Sequence, residues 1–169
     1  MAAQLNKPGT LSVGFLSNAR TYPGGANVAT IAVFQEFGTP NARFPIPPRP
    51  FFRNMVKAKS PEWPKAVAQA LKDHDYDASA ALHVVGDAIA GQLRESIIDT
   101  NAPALSPVTL LLRQWRTQGR KINLTTVIEA IRQVKGGTRA GKKFAPGTPG
   151  AKPLVETGIM LGSVDYEIT

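Results

Sequence analysis

Cysteine is absent from this 169-residue chain. That excludes a disulfide framework, a thiolate metal site and a cysteine nucleophile. Histidine is nearly absent too: His74 and His83 are the only two. Neither belongs to a His-Glu-x-x-His motif, and there is no Gly-x-Ser-x-Gly elbow. Nucleophilic or metal-assisted hydrolysis is therefore not legible in the chain. No apolar run approaches the roughly 20 residues that span a bilayer. The opening Met-Ala-Ala-Gln-Leu-Asn-Lys-Pro has no apolar stretch of signal-peptide length. The expectation is a soluble chain, intracellular or particle-bound, with no catalytic role, no cofactor, no metal and no membrane partner.

What is present suffices for a real core. A chain this long buries about 70% of its unfolded surface, and an apolar content of 43% is ordinary for a globular protein. With no internal repeat, a single domain over 1–169 is expected. Charge is distributed unevenly. The net charge is +8, yet residues 113–152 hold ten basic side chains (Arg113, Arg116, Arg120, Lys121, Arg132, Lys135, Arg139, Lys142, Lys143 and Lys152) against Glu129 alone. One segment thus carries the whole basic excess, and such a segment seeks an anionic partner.

The stretch Ile46-Pro47-Pro48-Arg49-Pro50-Phe51-Phe52-Arg53 organises the rest. Three prolines in four positions fix φ and remove three amide donors, so no helix interior or central strand runs through them. Ile46, Pro47 and Arg49 each precede a proline and are pushed toward extended geometry. A stiff arm of polyproline type is expected over 39–53, delivering two adjacent aromatics. A buried Phe is worth about 1.5–3 kcal/mol. The arm should therefore dock, on its own domain or on a neighbouring subunit, with Arg49, Phe51, Phe52 and Arg53 as the interface candidates.

Along the chain, Leu11, Val13 and Phe15 alternate with Ser12 and Gly14, which predicts a strand over 11–16. Residues 26–37 read as a helix with Val28, Ile31, Phe34 and Gln35 on its packed face, stopped by Gly38. A helix begins at 51–59, and Ser60 followed by Pro61 predicts a fresh start, with Ser60 as N-cap, that reaches about residue 72. An acidic break over 73–77 precedes the best helix, 79–99, with its stripe Leu82, Val85, Ile89, Leu93 and Ile97. Ser106-Pro107 starts another helix, to about 118. Thr126-x-x-Glu129 matches a capping box and predicts a short helix over 127–135. Residues 138–153, rich in Gly, Pro and Lys, read as a mobile loop, and 116–152 as a basic, flexible insertion. Val164, Tyr166 and Ile168 alternate with Asp165 and Glu167 and predict a last strand. The fold class that results is α+β: a small, mostly antiparallel sheet with strands from both chain ends, packed against several α-helices.

Several local patterns suggest chemistry without supporting it. Gly136-x-x-x-x-Gly141-Lys142-Lys143 nearly matches a phosphate-binding loop, but Lys143 stands where Ser or Thr holds Mg²⁺, and a helix precedes it where a strand is required. Asp73-His74-Asp75-Tyr76-Asp77 offers metal-binding atoms in no recognised spacing, and reads as a solvated turn. His83 falls beside its helix's apolar stripe as a packing or polar-edge residue. Pro47-Pro48-Arg49-Pro50 contains P-x-x-P, although the two Phe that follow favour docking inside a folded assembly. The basic segment, with Trp115 and Phe144 as stacking groups, is suited to non-specific contact with nucleic-acid phosphates.

Three blocks together carry a resemblance: Glu36-Phe37-Gly38-Thr39, the arm Ile46 to Arg53, and Pro153-Leu154-Val155-Glu156-Thr157-Gly158-Ile159-Met160-Leu161-Gly162-Ser163-Val164-Asp165-Tyr166. In order and spacing the chain resembles the tail-completion and head–tail joining proteins of tailed bacteriophages, a group that includes minor tail and neck proteins. The likeness covers most of 26–112 and 150–169. Glu156 stands where Asp is usual, Met160 where Leu is usual and Pro48 where Ala is common, and the stretch 116–152 is longer than in compact relatives. The resemblance implies a structural virion protein, present in the host cytoplasm during assembly. It implies a homo-oligomeric ring, typically six-fold, between tail tube and connector. On that view Arg139, Lys142 and Lys143 line a channel through which DNA passes or face an acidic neighbouring ring. The rival expectation is a small DNA-binding protein that works through 113–152.

Overall fold

The computed structural model describes residues 9–16, 20–43, 45–135, 152–155 and 157–169. Among them are six α-helices and one two-stranded sheet, an α+β fold as the patterning predicts. The chain divides into two compact units: Met1–Thr100 with Thr157–Thr169, and Asn101–Glu156.

In the first unit the sheet joins segments near the two chain ends. β1 (Leu11–Gly14) and β2 (Asp165–Ile168) pair antiparallel, Leu11 opposite Ile168 and Gly14 opposite Asp165. Thr10 and Thr169 extend the ladder by exchanging backbone bonds of 2.8 and 3.0 Å. An isolated two-stranded sheet is marginal in water; this one rests on α4 (Ala78–Asp99). Gly86 makes the approach possible, since a Cβ there would lie 2.5 Å from the Tyr166 ring.

The helix α4 is the axis of this unit. Asp77 caps it, accepting from the amides of Ser79 and Ala80, which satisfies donors that a helix start leaves orphaned. Ala81, Val85, Ile89, Leu93 and Ile97 are buried along one stripe, close to the predicted set, with Leu82 only half-buried. Against α4 pack α2 (Phe51–Lys59) and α3 (Trp63–Asp73). The Trp63 indole donates to Gln92 Oε1 at 3.0 Å. Ser60 is not the predicted N-cap. It has helical φ and ψ of −57° and −30°, and its amide continues the α2 ladder to Val56. Because Pro61 lacks an amide donor, the chain tightens into a 3₁₀ turn, Ser60–Glu62, and resumes as α3. The acidic break is a tight reversal with Asp75 and Tyr76 at φ of 50° and 63°. Among the described residues no cluster of three potential metal ligands occurs.

Asn27 caps α1 (Val28–Phe37), accepting from the Ala29 and Thr30 amides. Of the predicted face Val28 is buried and Ile31 and Gln35 are half-buried, but Phe34 is exposed, and Ala32 and Glu36 are buried in its place.

The second unit is a helical pair, α5 (Pro107–Thr117) and α6 (Leu124–Lys135), closed over Leu111, Trp115 and Ala130. Ser106 caps α5 as predicted. The capping box of α6 lies one turn earlier than expected. Asn123 Oδ1 accepts from the Thr126 amide at 3.0 Å while Thr126 Oγ1 accepts from the Asn123 amide at 2.8 Å. Glu129 instead pairs with Arg120. Arg113 donates to the Lys152 and Pro153 carbonyls at 2.9 and 3.0 Å, fixing the start of the terminal block.

Candidate functional site

Two of the three sequence blocks meet at the junction of α1 and α2. Proline precedes α2, so Pro50 at the N-cap position offers no side-chain acceptor. The missing cap arrives from α1. Glu36, only 5% exposed, aims its carboxylate at the start of α2. It accepts from the Phe52 amide at 2.9 Å, the Arg53 amide at 3.2 Å and Arg53 Nε at 2.8 Å. A carboxylate suits this place twice, as hydrogen-bond acceptor and as counter-charge to the positive end of the helix dipole. A second guanidinium nitrogen of Arg53 donates to the Glu36 carbonyl at 3.2 Å.

The connection is laced onto α1 along its length. Thr39 donates its amide to the Ile46 carbonyl at 2.9 Å, and its hydroxyl accepts the Ile46 amide at 3.0 Å. Gly38, at φ 74°, closes α1 and lies under the arm; a Cβ there would stand 2.6 Å from the Ile46 carbonyl oxygen. Glycine is required on both counts. Arg49, 3% exposed, donates from its side chain to Gln35 Oε1 at 3.0 Å and from its backbone to the Gln35 carbonyl at 2.7 Å.

The arm therefore folds back on its own chain. Phe51 is 1% exposed, its ring set edge-on to Phe15 at 6.3 Å, and its carbonyl accepts from Ser96 Oγ at 2.7 Å. Arg49 and Phe51, expected as candidates for a subunit interface, are thus buried in the first unit's own structure. Phe52 is half-buried, and only Arg53 of the four stays exposed. The P-x-x-P reading loses its charged residue with Arg49.

What the junction presents outward is the face of α1 that sequence reasoning assigned partly to the core. Val33, Phe34 and Phe37 are 52%, 42% and 58% exposed, at the spacing of one helical face. The Arg53 guanidinium lies over the Phe37 ring, 4.7 Å from its centroid, so a cation borders this patch. The signal was present in Val-Ala-Thr-Ile-Ala-Val-Phe-Gln-Glu-Phe: α1 has a single charged residue, and that one is buried. A helix apolar nearly all round has more apolar surface than one neighbour can cover.

The basic candidates divide. Arg139, Lys142 and Lys143 lie outside the described residues, as do Phe144 and the near phosphate-loop 136–143. Among the described residues, Arg116, Arg120, Lys121 and Arg132 are exposed. Trp115 is not available for base stacking: it is buried between α5 and α6, and the Arg120 guanidinium covers its ring at 4.2 Å.

The terminal block is also inward. Leu154, Met160, Ser163 and Val164 are buried, Ser163 Oγ donates to the Ile159 carbonyl at 2.8 Å, and Arg94 donates to the Val164 carbonyl at 2.7 Å. At its strand, Tyr166 has its hydroxyl 3.1 Å from His83 Nδ1. Partial burial, then the charge of Asp87 and a hydrogen bond to it, then the charge of Asp165, raise the phenol's pKa above its ordinary 10.0.

No family model matches this chain, and neither a curated protein nor a solved structure does. Among the described residues no helix is long and apolar enough to cross a membrane.

Proposed function

We propose that this chain is a structural virion protein of a tailed phage, without catalytic activity, that forms a homo-oligomeric ring at the neck or tail terminus and joins the tail to the head or connector. The observation that carries this reading is the uncharged outward face of α1, with Val33, Phe34 and Phe37 in solvent. Contiguous exposed apolar surface of this kind marks interaction sites. The clasp beneath it supports the reading further. Glu36, Gly38, Arg49 and Phe51, the residues of the two blocks that resemble joining proteins, tie α1 to α2 through buried contacts, and a preorganised surface loses little entropy on docking. A head-to-tail contact repeated around an axis closes into a ring, six-fold in the resembling proteins, with tail-tube and connector proteins above and below.

Electron microscopy of a lysate from a phage lacking this gene tests the proposal. Filled heads separated from their tails are the expected result; intact, joined particles would overturn it. The second reading, a small DNA-binding protein acting through 113–152, draws on exposed Arg116, Lys121 and Arg132. It predicts duplex binding that weakens steeply with salt. Absence of binding at low salt would remove it.

A further inference from the structure

We infer that the partner of the outward α1 face is a second copy of this chain, seated by the outer face of its α4, so that the contact runs head to tail. The inference rests on the ring reading and names the surface through which the ring closes.

Charge selects the occupant. Beside the apolar α1 face, α2 presents Arg53 and, one turn on, Lys57, both exposed; residues four apart share a helix face. Arg53 is continuous with the patch through its contact with Phe37. This surface is therefore apolar with a basic border. Its complement is an apolar surface with an acidic border, and α4 supplies one. Val84 is 49% exposed, Ala88 lies one turn further along, and Asp87 and Glu95 are exposed beside them. The only Lys or Arg on α4 is Arg94, whose guanidinium is turned to the Val164 carbonyl. In a chain of net charge +8, an exposed helix face bearing acids and no free base is a distinct feature.

The same charges argue against pairing two α1 faces. That isologous contact would set two surfaces with the same basic border against each other, with no acidic border to answer either, and like charges across an interface are unfavourable. It would also use up the α1 face in a closed dimer, so that no ring could grow through that face. The α1-to-α4 contact puts basic against acidic borders, uses two different patches and leaves an α1 face free at one end and an α4 face free at the other for further copies. The bulky side chains Phe34 and Phe37 face the smaller Val84 and Ala88, a size match that lets two helices approach closely.

The absence of native cysteine provides the test. Two single variants of the full chain, Val33→Cys and Val84→Cys, replace exposed side chains and should unfold at the same temperature as the parent. They are mixed at high concentration and treated with a short bis-maleimide. The expected result is a covalent species of twice the chain mass in the mixture and none in either variant alone; the double variant should give a ladder of higher multiples. Cross-linking of Val33→Cys with itself would overturn the inference in favour of an α1–α1 dimer. No cross-link in any sample would overturn it as well. Neither result decides the ring reading, which the particle morphology of the gene-deleted phage tests separately.

Discussion

Replacing Glu36 by Gln should destabilise the α1–α2 junction by removing one buried acceptor from the start of α2. The substitution is isosteric, so no cavity contributes. The Gln oxygen still accepts from one of the two α2 amides that Glu36 now satisfies at 2.9 and 3.2 Å. Its amide group then faces the other amide and Arg53 Nε, donor against donor. One hydrogen bond to a charged acceptor is lost, worth about 1.5–3 kcal/mol, and a buried donor is left unsatisfied. The favourable placement of a carboxylate at the helix N-terminus adds about 0.3–1 kcal/mol. The ion pair with Arg53 adds little, because the Arg53 side chain is 56% exposed and solvent screens it. The total is about 2–4 kcal/mol. For a chain of this size that lowers Tm by about 5–15 °C. Urea unfolding followed by far-UV circular dichroism measures the free energy, and a thermal scan the midpoint. A loss below about 0.5 kcal/mol would mean that the carboxylate does not cap α2, and the account of the clasp would be wrong. Arg53→Ala serves as the comparison and should cost less than about 1 kcal/mol.

Other consequences follow from the same structure. Phe51→Ala should destabilise the isolated chain by about 3–5 kcal/mol, measured by urea unfolding; an unchanged midpoint would return Phe51 to the role of a free docking group. Gly86→Ala should lower stability by about 1–2 kcal/mol even though alanine favours the helix, because its Cβ meets the Tyr166 ring and overpacking outweighs propensity; a gain in stability would show that β2 yields freely. Ultraviolet titration of Tyr166 should give a midpoint above 10.0, moved down by Asp87→Asn. Since the unfolded phenol ionises first, the folded state binds more protons in that window. The stability Tyr166 contributes is therefore complete below pH 10 and is lost as pH rises through the folded-state pKa; a midpoint at or below the ordinary value would contradict the packing at Gly86.

The sequence was most legible where a single rule sufficed. Alternation placed both strands, and the long stripe from Val85 to Ile97 placed α4. Local rules misled where a neighbouring segment of the chain already held the position they name. Ser60-Pro61 looks like a helix start, but α2 already runs into it, so the proline only tightens the turn. Thr126 and Glu129 have the spacing of a capping box, but Asn123 precedes them and Arg120 claims Glu129. The arm is expected to dock, and it does so on its own chain. Its partner was not legible, because a Glu sixteen residues upstream of Phe52 caps α2 from another helix, a relation no periodicity reports. The outward face of α1 was hidden for the opposite reason. When a helix is apolar nearly all round, pattern alone does not say which side is buried, and the choice fell to Glu36, whose need for the α2 amides turns Phe34 and Phe37 outward.

The most direct test of the central claim is a single charge at the centre of that face, Val33→Asp, supplied to a phage that lacks the gene. Val33 is 52% exposed, so the purified chain should keep its Tm and circular dichroism. Burying the carboxylate against an apolar neighbour costs several kcal/mol without a partner for it. The account predicts heads and tails that remain apart, as without the gene. Joined, infective particles built with the Val33→Asp chain would contradict it.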